Sequence, residues 1–532
     1  MRRFHSYGPV DERRHFTVPR KELVDSCLKD LVGDPEEGGH YFTVWGPRQT
    51  GKTWLVHRVK REIEARYGDA FAVHCASLGR TRGMRYERQE RSEELSLPQG
   101  LADVLEDELP GSPRLSTWKD FYRLFSKEHG RWDRPLILFI DEADTTPPLL
   151  LDLMVNQFRE MYLKREGNRL HGLALAGVHA VLGAESERGS PFNIQRSLRV
   201  PNLTRGEVED LYRQYQEESG QAVDPAVVEG VYEVTRGQPG LVSWLGELLT
   251  EKYNPGREKK IGIRLWEEVY QAALTKEWSN NVLNLIKKAR GPYSDYVLEL
   301  FVKSDLPFSV RADWCGYLHL NGIVDETEME GPDGKKARVC RFSSPFVQKC
   351  LYDAFTMDWV GDRLPILALD PLDTLADVFD KPELDVPALL QRYKGYLRRL
   401  KTEGVDPWKD QPRRADLRLT EYVGHFHLYF WLQNAVGRRC AVAPEFPTGN
   451  GRVDLHLRCK GKQGIVEVKS FRDRADLEDS KGQAARYARK LNLSAISLAV
   501  FVPVEDESVL EALSSREVLD GIEVTVTAVG WA

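Results

Sequence analysis

The chain of 532 residues has no run of about eighteen apolar residues, and no apolar stretch follows Arg2 and Arg3 at its start. It is therefore read as soluble and cytoplasmic, without a secretion signal or a membrane partner. It also lacks an excess of one charge: 75 Lys and Arg against 81 Asp and Glu give a net charge of -6. That excludes coating of nucleic acid by bulk charge, although a local basic channel remains compatible with it. Its seven cysteines include no C-x-x-C pair, which argues against a zinc ribbon and against a disulfide framework; they are expected to be reduced and mostly buried. No internal repeat, low-complexity tract, Ser-His-Asp signature or H-E-x-x-H motif occurs.

With 41% hydrophobic and 10% aromatic residues, a chain of this length supports two to four folded domains. Short apolar runs at Tyr41-Phe-Thr-Val-Trp45, Leu136-Ile-Leu-Phe-Ile140 and Leu173-Ala-Leu-Ala176, separated by helical stretches, predict an α/β domain with a buried parallel sheet over 1–200. A helical lid is expected over 201–277, with Val208, Leu211, Tyr212 and Tyr215 on one face and a break at Gly237-Gln-Pro-Gly240. Helices and a hairpin closing at Gly331-Pro-Asp-Gly334 predict a winged-helix-like domain over 278–360. A connection carrying one helix, with Leu389, Leu390, Tyr393 and Leu397 as its stripe, is placed at 361–410, and the last domain at 411–532. The mixed-charge stretch from Arg80 to Glu94 is read as a surface loop or solvated helix.

Gly46-Pro-Arg-Gln-Thr-Gly51-Lys52-Thr53 fits G-x-x-x-x-G-K-[ST] and lies between a predicted strand and a predicted helix. Gly46 and Gly51 let the backbone wrap a phosphate, Lys52 reaches the β- and γ-phosphates, and the Thr53 hydroxyl ligates Mg²⁺. ATP with Mg²⁺ is the expected ligand. Asp141, at the tip of a strand, is placed on the metal side, and Glu142 is assigned to polarising the attacking water; the alternative for Glu142 is a helix cap. Arg188, Arg196 and Arg199 are each open as an arginine finger, and spacing selects none of them.

Together with Tyr7-Gly-Pro9, Val18-Pro-Arg20, Asp141-Glu142, Ser190-Pro-Phe-Asn193 and Thr235-Arg-Gly-Gln-Pro-Gly240, the phosphate loop resembles the AAA-like ATPases related to the STAND and archaeal ATPase groups. The resemblance covers the first half of the chain. It implies a helical lid containing the Gly-Gln-Pro segment, followed by a winged helix. A plain helix-breaking turn is the alternative for Gly237 to Gly240.

Near the other end, Gly451-Arg-Val-Asp454-Leu-His-Leu457 and Gly464-Ile-Val-Glu467-Val-Lys469 read as paired strands joined through Lys460-Gly-Lys462. Glu467 and Lys469, two apart, share a sheet face on which Asp454 can meet them. Two carboxylates beside one ammonium suit phosphodiester chemistry with Mg²⁺ or Mn²⁺. Alternating Glu and Lys is also how an exposed edge stays soluble. The arrangement resembles the PD-(D/E)XK nucleases, whose core runs helix, strand, strand, strand, helix, strand. The resemblance makes Asp454 and Glu467 metal ligands, Lys469 the catalytic lysine, Glu421 a further metal-side acid, and Gln483 with Tyr487 the Q-x-x-x-Y support. Arg452-Val-Asp454 stands where the family name implies Pro-Asp, and Glu445 competes with Glu421 as the extra acid. His425 and His427 are read as packing residues.

The fold class expected is thus α/β: a P-loop ATPase with parallel sheet and helical lid, a winged helix, and a restriction-endonuclease-like domain. The function expected is an ATPase that controls or powers metal-dependent cleavage of nucleic acid, DNA first, with the fusion suggesting host defence and a homo-oligomer left open. A signalling ATPase or scaffold with a non-cleaving nuclease-like domain, and a motor translocating on DNA, are the alternatives.

Overall fold

The computed structural model describes all residues except 35–37, 87–95, 110–113, 178–196, 304, 331–334, 362–366, 381–382, 410, 414–419, 438, 446–453, 460 and 532, with the backbone alone at 361, 445 and 454. Ser190 to Asn193, Arg188, Arg196, Arg452, most of the mixed-charge stretch and the hairpin tip at Gly331 to Gly334 therefore lie outside the described residues. Two compact units are present: residues 1–284 with 310–323, and residues 285–309 with 324–532. The stretch 278–360 is thus divided between them.

In the first unit, β1 (Tyr41–Trp45), β2 (Ala72–Ser77), β3 (Leu136–Asp141), β4 (Leu170–Gly177) and β5 (Ser197–Arg199) form a sheet in the order β2-β3-β4-β1-β5. Every pairing is parallel. Alternation along the strands supplies two cores: Leu136, Leu138 and Ile140 pack with the helix Pro148–Leu163, while Ile137 and Phe139 pack with the helices Lys21–Val32 and Lys52–Tyr67. Helical cover on both faces explains why β3 reads as a continuous apolar run. Beyond the sheet come the helices Arg205–Ser219, Pro225–Thr235, Pro239–Glu247 and Ile263–Thr275. The first has a capping box from Thr204 and Glu207 and ends at Gly220 with φ 72°. Its buried stripe is Val208, Leu211, Tyr212 and Tyr215.

In the second unit, β6 (Val324–Glu330) and β7 (Lys336–Phe342) form an antiparallel hairpin. Residues 306–308 extend it, with Phe308 donating to the Arg338 carbonyl and Cys340 to that of Leu306. The larger sheet of this unit runs β12-β13-β11-β10-β9-β8, from β8 (Ala441–Glu445), β9 (Asp454–Cys459), β10 (Lys462–Ser470), β11 (Ala495–Val502), β12 (Ser515–Leu519) and β13 (Ile522–Gly530). β8, β9 and β10 form an antiparallel meander, and β11 lies parallel to β10. The helix Glu421–Val436 precedes β8 and the helix Arg474–Lys490 precedes β11. The order from Glu421 is helix, three strands, helix, strand.

The helix Glu421–Val436 is apolar around most of its circumference and buried accordingly. His425 and His427 are buried in it, and His427 Nδ1 lies 2.6 Å from the Tyr393 hydroxyl. Tyr393 belongs to the helix Val386–Thr402, read from the sequence as part of a connection. Instead it packs its ring within 5.3 Å of Trp431 and 6.3 Å of Phe501, because its apolar stripe needs a surface to cover.

One expectation is corrected. Cys440 and Cys459 form a disulfide, with Cα atoms 4.3 Å apart. The register that pairs Ala441 with Arg458 brings these two cysteines opposite each other on neighbouring strands. Sequence spacing could not reveal this, because the two are 19 residues apart and juxtaposed only by pairing. The other five are free, four of them buried.

Candidate functional site

The phosphate loop joins the buried β1 to the helix Lys52–Tyr67. Gly51 precedes that helix with φ 95°, a conformation open to glycine at little cost. A Cβ on Gly46 would lie 2.9 Å from the Thr50 hydroxyl, so a close backbone approach fixes that glycine too. The Lys52 ammonium donates to the carbonyls of Gly46 at 2.8 Å and Pro47 at 2.7 Å. It is thereby folded back over the loop. Burial pulls Lys52 down to about 8, while the carboxylates of Asp144 and Asp141 oppose the shift.

Thr53 donates through Oγ1 to Asp141 Oδ2 at 2.6 Å. Strand order places β4 between β1 and β3, so this bond spans an intervening strand. Asp141 is buried, and its other carboxylate oxygen accepts from the Glu142 backbone N–H at 2.8 Å. Hydroxyl and carboxylate together offer hard oxygen donors suited to Mg²⁺. Glu142 has φ 53°; its carboxylate accepts from the Ser77 hydroxyl at 3.3 Å and pairs with Arg82 at 3.4 Å. Gly79 makes room for it, because a Cβ there would lie 2.0 Å from Oε2. Sequence reasoning missed Ser77, Arg82 and Asp144. Only Asp144 left a signal, as a third acid directly after the strand.

Two other segments touch the loop. Gly240 donates its N–H to the Gln49 carbonyl at 3.1 Å, and Gln238 Nε2 donates to the Arg48 carbonyl at 3.0 Å. The Gly237 to Gly240 segment thus ends one helix, starts the next and holds the phosphate loop. From the N-terminal side, Gln49 Nε2 donates to the Ser6 carbonyl at 3.0 Å. Arg199 stands over the Trp45 ring at 5.5 Å.

In the second unit, Glu467 and Lys469 are buried at 5% and 4% exposure and form an ion pair at 2.6 Å. Glu421, in the first turn of its helix, reaches to within 3.9 Å of the same ammonium. The structure therefore brings Glu421, Glu467 and Lys469 together. Strand register sets Asp454 directly opposite Glu467, and Glu445 opposite Asp454. Three acids from three adjacent strands thus occupy one row of the backbone register. By alternation Glu467 and Lys469 share the face of Ile465, which joins the core formed with the helix Arg474–Lys490. That helix carries Gln483, exposed, and Tyr487, half-buried against the same core. Among the described side chains, no group of three or more His, Cys, Asp or Glu is arranged to hold a metal ion. Also among the described residues, no helix is long and apolar enough to cross a membrane.

No protein-family model matches the sequence, and no curated protein matches it. Among solved structures, the chain is similar to the Orc1 protein of Aeropyrum pernix, determined in complex with DNA, at 17% identity over 64% of this chain and 93% of that one, with a TM-score of 0.35. A Walker-type ATPase of Pyrococcus abyssi gives 14% identity over 65% and 99%, with a TM-score of 0.40. The RuvB Holliday junction branch migration motor of Thermotoga maritima gives 15% over 60% and 92%, with a TM-score of 0.32.

Proposed function

We propose that the chain binds and hydrolyses ATP in its first unit and uses that cycle to control or power metal-dependent cleavage of nucleic acid, DNA first, in its second. The observation that carries the ATP reading is the 2.6 Å bond from Thr53 to Asp141, which closes the phosphate loop against the acidic tip of β3. The loop amides and Lys52 would hold the phosphates, Thr53 and Asp141 would hold Mg²⁺, and Glu142 would orient the attacking water once its contacts with Ser77 and Arg82 are released. Mg²⁺ supplies charge neutralisation on the phosphates.

The cleavage reading is supported by a charged cluster placed inside a sheet. Burying Glu467 and Lys469 is costly unless each is paired, so a buried Glu-Lys pair on a six-stranded sheet, with Glu421 reaching it from a helix end, is unusual for a purely structural purpose. Glu467 with Asp454 would hold a divalent cation, Glu421 or Glu445 would complete its acid set, and Lys469 would steady charge on the attacked phosphate. Such a cation supplies an activated water at neutral pH. Tyr487 would support these groups from the covering helix, whereas Gln483, exposed, would need to turn inward to join it. The β6–β7 hairpin with its neighbouring helices supports a winged-helix element between the two activities.

The second reading, a signalling ATPase whose second unit binds without cutting, is favoured by the ion pair itself, because Lys469 occupies Glu467 at 2.6 Å. Incubating the protein with single-stranded, double-stranded and supercoiled DNA and with RNA, in Mg²⁺ or Mn²⁺, separates the two. Cutting that disappears in Glu467→Ala supports cleavage; intact substrates throughout support the binding module.

A further inference from the structure

We propose that the first unit carries a docking cleft for the phosphate backbone of nucleic acid, on the sheet edge opposite the phosphate loop. This rests on the nucleic-acid reading above and adds a contact surface to it.

The cleft measures about 990 Å³ and is lined by Lys119, Arg123, Lys127, Lys164 and Arg165 against two carboxylates, Glu128 and Glu166. Its place follows from topology. The sheet is wholly parallel, and the phosphate loop follows the C-terminal end of β1. The cleft segments lead into the N-terminal ends of β3 and β4, and Ser126 bridges to Asn168 there. The two sites therefore occupy opposite edges, so bound nucleic acid would leave the ATP site open.

Helix ends account for only some of these cations. Arg123 lies in the last turn of the helix Trp118–Leu124, and Lys164 just follows the helix Pro148–Leu163, where positive charge is favoured anyway. Arg165 is committed to structure, with its guanidinium 4.0 Å over the Tyr162 ring and a hydrogen bond to the Gly39 carbonyl. Lys119 has no such reason: it lies in the first turn of its helix, where the backbone dipole disfavours a cation. The neighbouring acid, Asp120, is engaged in the capping box with Thr117 and accepts from the N–H groups of Ser116 and Thr117. Lys119, Arg123 and Lys127 are exposed, and among the described contacts the one acid acting on them, Asp120 on Arg123, is already engaged with Thr117.

On a protein of net charge -6 this cleft gathers five cations against two carboxylates, with Lys164 also paired to Glu160, so its local charge is opposite in sign to that of the whole chain. Point charges on flexible stems, without a buried donor set, suit a repeating chain of phosphates rather than one fixed carboxylate.

The test is equilibrium binding of a fluorescein-labelled 30-base-pair duplex of random sequence to the full chain, without divalent metal, across a salt series. It compares wild type with Lys119→Gln/Arg123→Gln/Lys127→Gln, whose melting temperature and ATP affinity serve as folding checks. Losing three phosphate contacts is expected to reduce the slope of log K against log salt by about two to three, and to weaken binding on the order of a hundredfold at 0.1 M salt. Equal slopes and affinities in a folded triple variant overturn the cleft while leaving the nucleic-acid reading intact. No duplex binding by wild type overturns both. Polyglutamate of equal charge competing as well as DNA would assign the cleft to an acidic protein and overturn the proposal.

Discussion

The backbone N–H of Gly240 donates to the carbonyl of Gln49 at 3.1 Å, so the first turn of the helix Pro239–Glu247 is hydrogen-bonded to the phosphate loop. A helix tied to the loop backbone in this way is expected to register a rearrangement of that loop. The tie depends on a missing side chain, since a Cβ on Gly240 would lie 2.3 Å from Gln49 Oε1 and 2.6 Å from Gln49 Cβ. Gly240→Ala is therefore expected to weaken ATP binding and to cost about 1–3 kcal/mol of stability through overpacking. Urea melts with and without ATP check this, and wild-type behaviour in both would show the loop and lid to be independent.

Burial disfavours the charge of Lys52 and pulls it down to about 8. Bound phosphates favour the ammonium and raise that value, so binding takes up a proton above pH 8. ATP affinity should be flat below pH 8 and fall above it, by up to about tenfold per unit while the bound form stays protonated. Fluorescence titrations from pH 6.5 to 9.5 measure the slope. Lys52→Ala should bind weakly with the bend near pH 8 removed.

Glu142→Gln keeps the size of the side chain and its contact with Ser77 but removes the carboxylate. ATP binding is expected to persist while turnover falls about 10²–10⁴-fold. Undiminished turnover would leave Glu142 a structural role only, through Ser77 and Arg82, since its side chain makes no cap hydrogen bond.

Lys469→Met leaves Glu467 buried without its close cation, which is expected to destabilise the fold on the order of 3–5 kcal/mol. Glu467→Gln/Lys469→Met removes both charges and should recover much of the loss. If the double variant is no more stable than the single one, the pair is not coupled as its 2.6 Å separation implies.

Reducing the Cys440–Cys459 link should lower stability by about 2–4 kcal/mol. Alkylation of the unfolded, unreduced protein followed by mass spectrometry should find two of the seven cysteines protected. Seven alkylated thiols would contradict the pairing.

Local chemistry was legible where neighbours in sequence are neighbours in space. The G-x-x-x-x-G-K-[ST] segment lies between a five-residue apolar strand and a helix, as its adjacent residues implied. Glu467 and Lys469 could be placed on one face from period-two alternation alone. The order β2-β3-β4-β1-β5 could not, because it depends on crossovers through helices. Asp454 could be set beside Glu467 from the paired strands, but not Glu445 in the same row, which needs the register of a third strand. Arg82 reaches Glu142 across 60 residues, and the Cys440–Cys459 link follows from the same strand pairing. The contact of Gly240 with Gln49 was hidden for another reason. A Gly-Gln-Pro-Gly segment breaks a helix whether or not it touches anything.

Coupling between the two activities turns on whether nucleotide bound through Lys52 changes cutting that needs Glu467. The measurement is the initial rate of DNA cleavage in Mg²⁺, with and without ATP, for wild type and Lys52→Ala, with Glu467→Ala as the blank. ATP is expected to change the wild-type rate, in either direction, and to leave Lys52→Ala unresponsive. A wild-type rate that is the same with and without ATP, at concentrations that saturate the phosphate loop, would contradict it.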